Sequence, residues 1–84
     1  MGGASRQKPQ RLGAKLLDVR NRLNLSQNGL IRQLGLEGEL TQSHISAFER
    51  GVRIPSLIVL LRYARSSGIN VEVLIDDDLD LTKR

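Results

Sequence analysis

The chain has no cysteine and no tryptophan, and only one residue each of methionine, tyrosine, phenylalanine and histidine. Without cysteine there is neither a disulfide framework nor a thiolate metal site, and a single imidazole, His44, does not make a zinc site. An aromatic share of 2% leaves the core to aliphatic side chains. No apolar run approaches the roughly 20 residues that span a bilayer. The longest, Leu57–Leu61, is far shorter. The opening Met-Gly-Gly-Ala-Ser-Arg lacks the apolar stretch of a secretory signal, so a cytoplasmic location is expected. Paired carboxylates, a Cys–His set and a phosphate-cradling glycine loop are also missing, which argues against an enzyme and implies no cofactor. Ser43 and His44 are neighbours on a helix, so their side chains diverge and cannot act as nucleophile and base.

What remains is a chain of 84 residues, 39% hydrophobic and 26% charged, which is the size and composition of one soluble domain. Its charge is unevenly spread. Residues 1–36 carry seven Lys and Arg (Arg6, Lys8, Arg11, Lys15, Arg20, Arg22, Arg32) against Asp18, a balance of +6. Residues 71–81 carry Glu72, Asp76, Asp77, Asp78 and Asp80, a charge of −5. A basic body with an acidic end points to a polyanionic partner, the acidic end being kept away from it.

Residues 1–10 have no apolar period and read as a flexible basic arm. Leu12, Leu16, Val19 and Leu23 line one face of a helix over 11–23, which Asn24 ends. Ser26 offers an N-cap to a second helix, 26–34, carrying Leu30, Ile31 and Leu34, and Gly35 suits its left-handed C-terminus. After a loop, Leu36–Leu40, Thr41 caps a third helix, 42–50, with Ile45 and Phe48 inward. Pro55 keeps Ile54 out of a helix. Ser56 caps a fourth helix to about Ser66, whose apolar stripe reads as Leu57, Leu60, Leu61 and Ala64. Ile69, Val71, Val73 and Ile75 alternate like a strand, but Leu74 breaks the pattern and a lone strand has no partner. A short fifth helix over 70–76, with Asn70 as a candidate cap, is more economical. Residues 77–84 read as an acidic tail. The pattern over 11–76 is therefore all-α, five short helices.

Two segments carry a family resemblance. Ser26-Gln27-Asn28-Gly29-Leu30-Ile31-Arg32-Gln33-Leu34-Gly35 and Thr41-Gln42-Ser43-His44-Ile45-Ser46-Ala47-Phe48-Glu49-Arg50-Gly51, followed by Pro55-Ser56, resemble the Xre family of lambda-repressor-like helix-turn-helix regulators. This chain departs from that pattern twice. Ile31 stands where the family has a small residue at the crossing of helices two and three. Gly35 to Ile45 spans ten positions where the common pattern has six, which puts Glu37 and Glu39 on a longer turn near the expected DNA side.

The resemblance implies sequence-specific binding to double-stranded DNA by a bacterial or phage transcription regulator, with helix three in the major groove. Gln42, Ser43 and Ala47 then become base-contacting candidates, since Gln pairs with adenine, Ser with either base type, and a methyl with thymine. Gln27, Arg50, Arg53 and His44 become phosphate-contacting candidates. The plain alternatives are a polar helix start, an ordinary cap region and solvated arginines. Arg20 and Glu49 are implied to form a partly buried ion pair joining helices one and three. A homodimer is implied as well, with Val71, Val73, Leu74, Ile75, Leu79 and Leu81 as surplus apolar surface for it. The rival is a protein-interaction role, either a DNA-binding antitoxin with a toxin partner or an adaptor, supported by the acidic turn and tail.

Overall fold

The computed structural model describes residues 9–81. Most of the expected basic arm, including Lys8, and residues 82–84 of the expected tail lie outside the described residues. The elements are α1 (Leu12–Arg22), α2 (Gln27–Leu34), α3 (Gln42–Glu49), α4 (Leu57–Ser67) and α5 (Val71–Ile75). The protein is all-α, with α1 against α3, α4 and α5, and α2 wedged against α3 and α4.

Local chemistry sets most of these boundaries. Ser26 Oγ accepts from the Gly29 N–H at 2.9 Å and Ser56 Oγ from the Val59 N–H at 3.3 Å, each satisfying a donor the helix start leaves open. At the end of α2, Gly35 takes φ 73°. There the Leu36 N–H reaches the Ile31 carbonyl at 3.1 Å and the Gly35 N–H that of Arg32 at 3.0 Å, a Schellman ending. Arg62 of α4 donates to the last carbonyl of α2, Leu34 O, at 2.8 Å. The long turn is closed on itself: Glu39 and Leu40 both donate to Leu36 O at 3.0 Å, while Leu36 is buried in the core and Leu40 packs on it. Ile31 is buried in the same core.

The core joins Leu12, Leu16 and Val19 of α1 to Leu30, Ile31 and Leu34 of α2, Ile45 and Phe48 of α3, and Val59, Leu60, Tyr63 and Ala64 of α4. The expected stripe of α4 is corrected here. Val59 and Tyr63 point inward, and Leu57 is 79% exposed. Residues 57–61 are apolar throughout, so their periodicity fits either face, and Tyr63, with no exposed surface, decides the rotation.

The C-terminal segment is also corrected. Expected as a frayed tail, residues 77–80 are instead bound to the basic body. α5 buries Leu74 completely, while Val71 and Leu81 pack on the core, which consumes much of the surface expected for a dimer. Asn70 makes no side-chain cap to α5. Instead Lys15, 4% exposed, donates from Nζ to the carbonyls of Val73 (2.7 Å), Asp76 (2.8 Å) and Leu79 (2.7 Å). All three ammonium protons are used, at the negative end of a helix. The Asp77 carboxylate accepts from the N–H groups of Gln10 (2.8 Å) and Arg11 (3.0 Å), just ahead of α1, whose own N-cap position, Arg11, supplies no side-chain bond. Those two N–H bonds, with the cations Lys15 and Arg11 beside it, hold the Asp77 carboxyl below the usual carboxylate range.

Candidate nucleic-acid interface

The helix pair α2–α3 is held by a polar junction at its back. Arg20 donates to Glu49 through Nε (2.6 Å to Oε2) and Nη2 (3.1 Å to Oε1), and through Nη1 to Leu25 O at 2.9 Å. The side chains are 17% and 6% exposed, so this fork ties α1 to the last turn of α3 out of bulk water. Hydrogen bonding to Glu49 raises the Arg20 pKa above its ordinary value. Gln27 Nε2 joins it, donating to Glu49 Oε1 at 3.2 Å. One amide proton of Gln27 is therefore committed inside the junction. Gly13 lets α1 approach α3: a Cβ there would lie 2.8 Å from Glu49 O and 2.9 Å from Phe48 O.

At the front, Thr41, Gln42 and Ser43 are exposed. The start of α3 is a capping box in which His44 occupies the place usual for Glu or Gln: Thr41 Oγ1 accepts from the His44 N–H, and His44 Nδ1 accepts from the Thr41 N–H at 3.0 Å. That bond puts the imidazole proton on Nε2 and gives His44 a local structural role beside any phosphate contact. Ala47 departs from expectation. The residue is buried, at 8% exposure, and the following loop bonds back to its carbonyl, with the Val52 N–H on Ala47 O at 2.9 Å. Arg50 and Arg53 are exposed on that loop, and Arg50 Nε bonds Ser46 Oγ at 3.3 Å.

Beside Gln42, the long turn opens a groove of about 340 Å³ lined by Asn28, Ile31, Arg32, Glu37, Leu40 and Thr41. It places an exposed cation, Arg32, and an exposed anion, Glu37, next to the N-terminal turn of α3.

The structure redistributes the charge of the chain. Arg11 pairs with Asp80, Lys15 is buried under α5, Arg20 pairs with Glu49, and Arg22 with Asp18 at 3.3 Å. Of the +6 balance of residues 1–36, Arg11 and Arg20 are thereby paired with carboxylates from later in the chain and Lys15 is held by carbonyls; of these only the Arg20–Glu49 pair was expected from the resemblance. Among the described residues, the guanidinium groups without a carboxylate or carbonyl partner are Arg32, Arg50, Arg53 and Arg65, three of them on α2–α3 and the loop that follows.

No group of His, Asp and Glu among the described residues is arranged to hold a metal, and no helix there is long and apolar enough to cross a membrane. Residues 16–74 match the model of the helix-turn-helix family HTH_3. Neither the curated proteins nor the solved structures give a match. The family match spans most of the chain and coincides with α1–α5, so the protein belongs to the Xre, or lambda-repressor-like, helix-turn-helix family of DNA-binding domains.

Proposed function

We propose that the protein is a bacterial or phage transcription regulator that reads a specific double-stranded site with the first turn of α3. The carrying observation is where charge and open polar groups coincide. Arg32, Arg50 and Arg53 keep their charge for an external anion; Gln42 and Ser43 are exposed, and Gln42 shares a groove with Arg32. Phosphates take the arginines, which position the domain without reading sequence. Gln42 meets an adenine edge through its amide, and Ser43 bonds either base type. The Gln27 amide keeps a second proton for a phosphate, and the Arg20–Glu49 fork keeps α3 at a constant angle to the rest.

Selection of binding sites from random duplexes tests this, followed by titration at several salt concentrations. Arg53→Ala should weaken all duplexes alike and flatten the salt dependence by roughly one unit of slope. Gln42→Ala should cost about 1–3 kcal/mol on the selected site and almost nothing on a scrambled one. An unenriched pool, or equal losses for Gln42→Ala on both duplexes, overturns the reading. The rival, an antitoxin or adaptor role, is favoured only by the exposed Glu37 and Glu39, since the acidic segment 77–80 is engaged with Gln10, Arg11 and Lys15.

A further inference from the structure

The groove beside Gln42 holds an anion, which a surface built only to hold phosphates would exclude. Glu37 lines that groove together with Asn28, Arg32, Thr41 and Gln42. Glu37, Arg32 and Gln42 are all exposed. Neither Arg32 nor Glu37 has a side-chain partner among the described residues, so the carboxylate is not consumed by the cation that shares its groove. Its backbone is nonetheless pinned. Leu36, one residue before it, is 4% exposed in the core, and Leu40 packs on the same core. Between these anchors Gly38 reverses the chain at φ 87°, Glu37 and Leu40 form a β-bridge, and the Glu39 and Leu40 N–H groups both bond Leu36 O at 3.0 Å. Glu39, two residues on, is also exposed but does not line the groove.

We propose that Glu37 reads a base: held by the long turn, its carboxylate accepts from the amino group of a cytosine in the base pair beside the one that Gln42 meets. The proposal rests on the DNA-reading function above and adds a specificity determinant that lies on the turn, outside α3. The chemistry of the group narrows its partner. An ionised carboxylate only accepts hydrogen bonds. The phosphate backbone offers it no donor and repels its charge. In the major groove the donors are the amino groups of cytosine and adenine, whereas guanine and thymine present acceptors there. Beside the adenine amine stands the N7 acceptor, which repels the second carboxylate oxygen; cytosine has no acceptor next to its amine on that edge. Cytosine is therefore the base that satisfies the group. Glu37 discriminates mainly by exclusion. Opposite guanine or thymine the carboxylate gives up water without gaining a donor, a penalty that every such site carries. Arg32, in the same groove, supplies the counter-charge with which an anion can approach the duplex. Gln42 and Glu37 thus ask neighbouring base pairs for different bases, one through an amide and the other through a carboxylate.

Binding-site selection from random duplexes, run on the full chain as wild type, Glu37→Ala, Glu37→Gln and Glu39→Ala, tests this. Wild type should enrich a cytosine beside the base pair whose identity Gln42→Ala relaxes. Replacing that cytosine in the selected duplex by 2-pyrimidinone, which lacks only the amine, should weaken wild type roughly 5- to 150-fold. Glu37→Ala should bind the two duplexes alike. Glu37→Gln, whose amide both donates and accepts, should admit guanine or thymine at that position. Glu39→Ala removes the same charge outside the groove; it should raise binding to scrambled duplexes as the Glu37 variants do, yet keep the cytosine. All three variants should melt with wild type, because both residues are exposed. Glu37→Gln also keeps the side-chain shape, so a lost fold cannot account for its altered preference. Three results overturn the proposal while leaving the DNA-reading function standing: a selected site without base preference beside the Gln42 position, a cytosine that survives Glu37→Ala, or a cytosine lost equally in Glu39→Ala. An unenriched wild-type pool overturns both and leaves the acidic turn to a protein partner.

Discussion

Lys15 is the side chain whose removal should cost the fold most for the least change in shape. Lys15→Met keeps the unbranched stem in its buried channel and deletes the ammonium that joins Val73 O, Asp76 O and Leu79 O. A hydrogen bond to a charged group contributes about 1.5–3 kcal/mol, so three give a gross gain of roughly 5–9 kcal/mol. Burying the ammonium offsets several kcal/mol of that. The variant also takes a donor from three carbonyls at and beyond the end of α5, but Asp76 O keeps the Leu79 N–H and Leu79 O the Arg11 guanidinium, so the loss falls mainly on Val73 O. The net loss should be about 3 kcal/mol. For a domain of this size 1 kcal/mol moves the melting temperature by about 4–8 °C, so the midpoint should fall by roughly 12–24 °C. Circular dichroism reads that shift. Amide exchange should show α5 losing protection before α2 and α3, because the deleted bonds hold only the C-terminal segment. Lys15→Arg should lie between, since a planar guanidinium cannot point three protons at carbonyls arranged around a compact ammonium. A Met variant melting within about 2 °C of wild type, with α5 protection intact, would show that the three bonds only break even against desolvation and refute the reasoning.

The Arg20–Glu49 fork should show coupling in a double-mutant cycle. Each alanine leaves a charge stranded in a mostly dry site and costs about 3 kcal/mol, whereas the double variant costs less than the sum; strict additivity of the melts would show that the pair contributes nothing jointly. Tyr63 Oη is buried without a hydrogen-bond partner, and burial raises its pKa. Tyr63→Phe should therefore be neutral or stabilising in a chemical denaturation series, and a loss above about 1 kcal/mol would reveal a hidden partner. The Asp77 carboxyl is depressed in the folded state, so its contribution is present above the unfolded carboxylate pKa, about 3.9, and fades as pH falls through the lower folded value. Asp77→Asn should lower stability at neutral pH and flatten the acid limb, the two proteins converging as pH falls below the folded pKa; identical acid limbs for the two proteins would remove this group from the acid response.

Most of the helical plan was legible in the sequence because its signals act over three or four residues. Ser26, Thr41 and Ser56 cap the helices they precede, since a hydroxyl reaches an N–H one turn ahead whatever the rest of the chain does. Gly35 and Gly68 end α2 and α4 at positive φ for the same local reason. The candidate recognition site was harder to foresee. Gln42 and Ser43 are open, but Ala47, placed outward by 100° of rotation per residue, is buried in the folded chain, which rotation about one helix cannot register. His44 and Gln27 each combine an outward position with an internal bond that depends on one specific partner.

The amino-acid sequence by itself thus determined five helices, the caps of α2, α3 and α4, and the family, because each is written in residues adjacent along the chain. Only tertiary structure decided which charges remain for a partner and which apolar surface stays open. Lys15 and the carbonyl of Leu79 lie 64 residues apart, and Arg11 and Asp77 lie 66 apart, so the pairings that consume the basic charge do not exist until the core has formed. The same holds for the apolar run 57–61. Either of its faces satisfies the helical period, and the complete burial of Tyr63 on the same helix goes with Leu57 and Ile58 turned out to solvent.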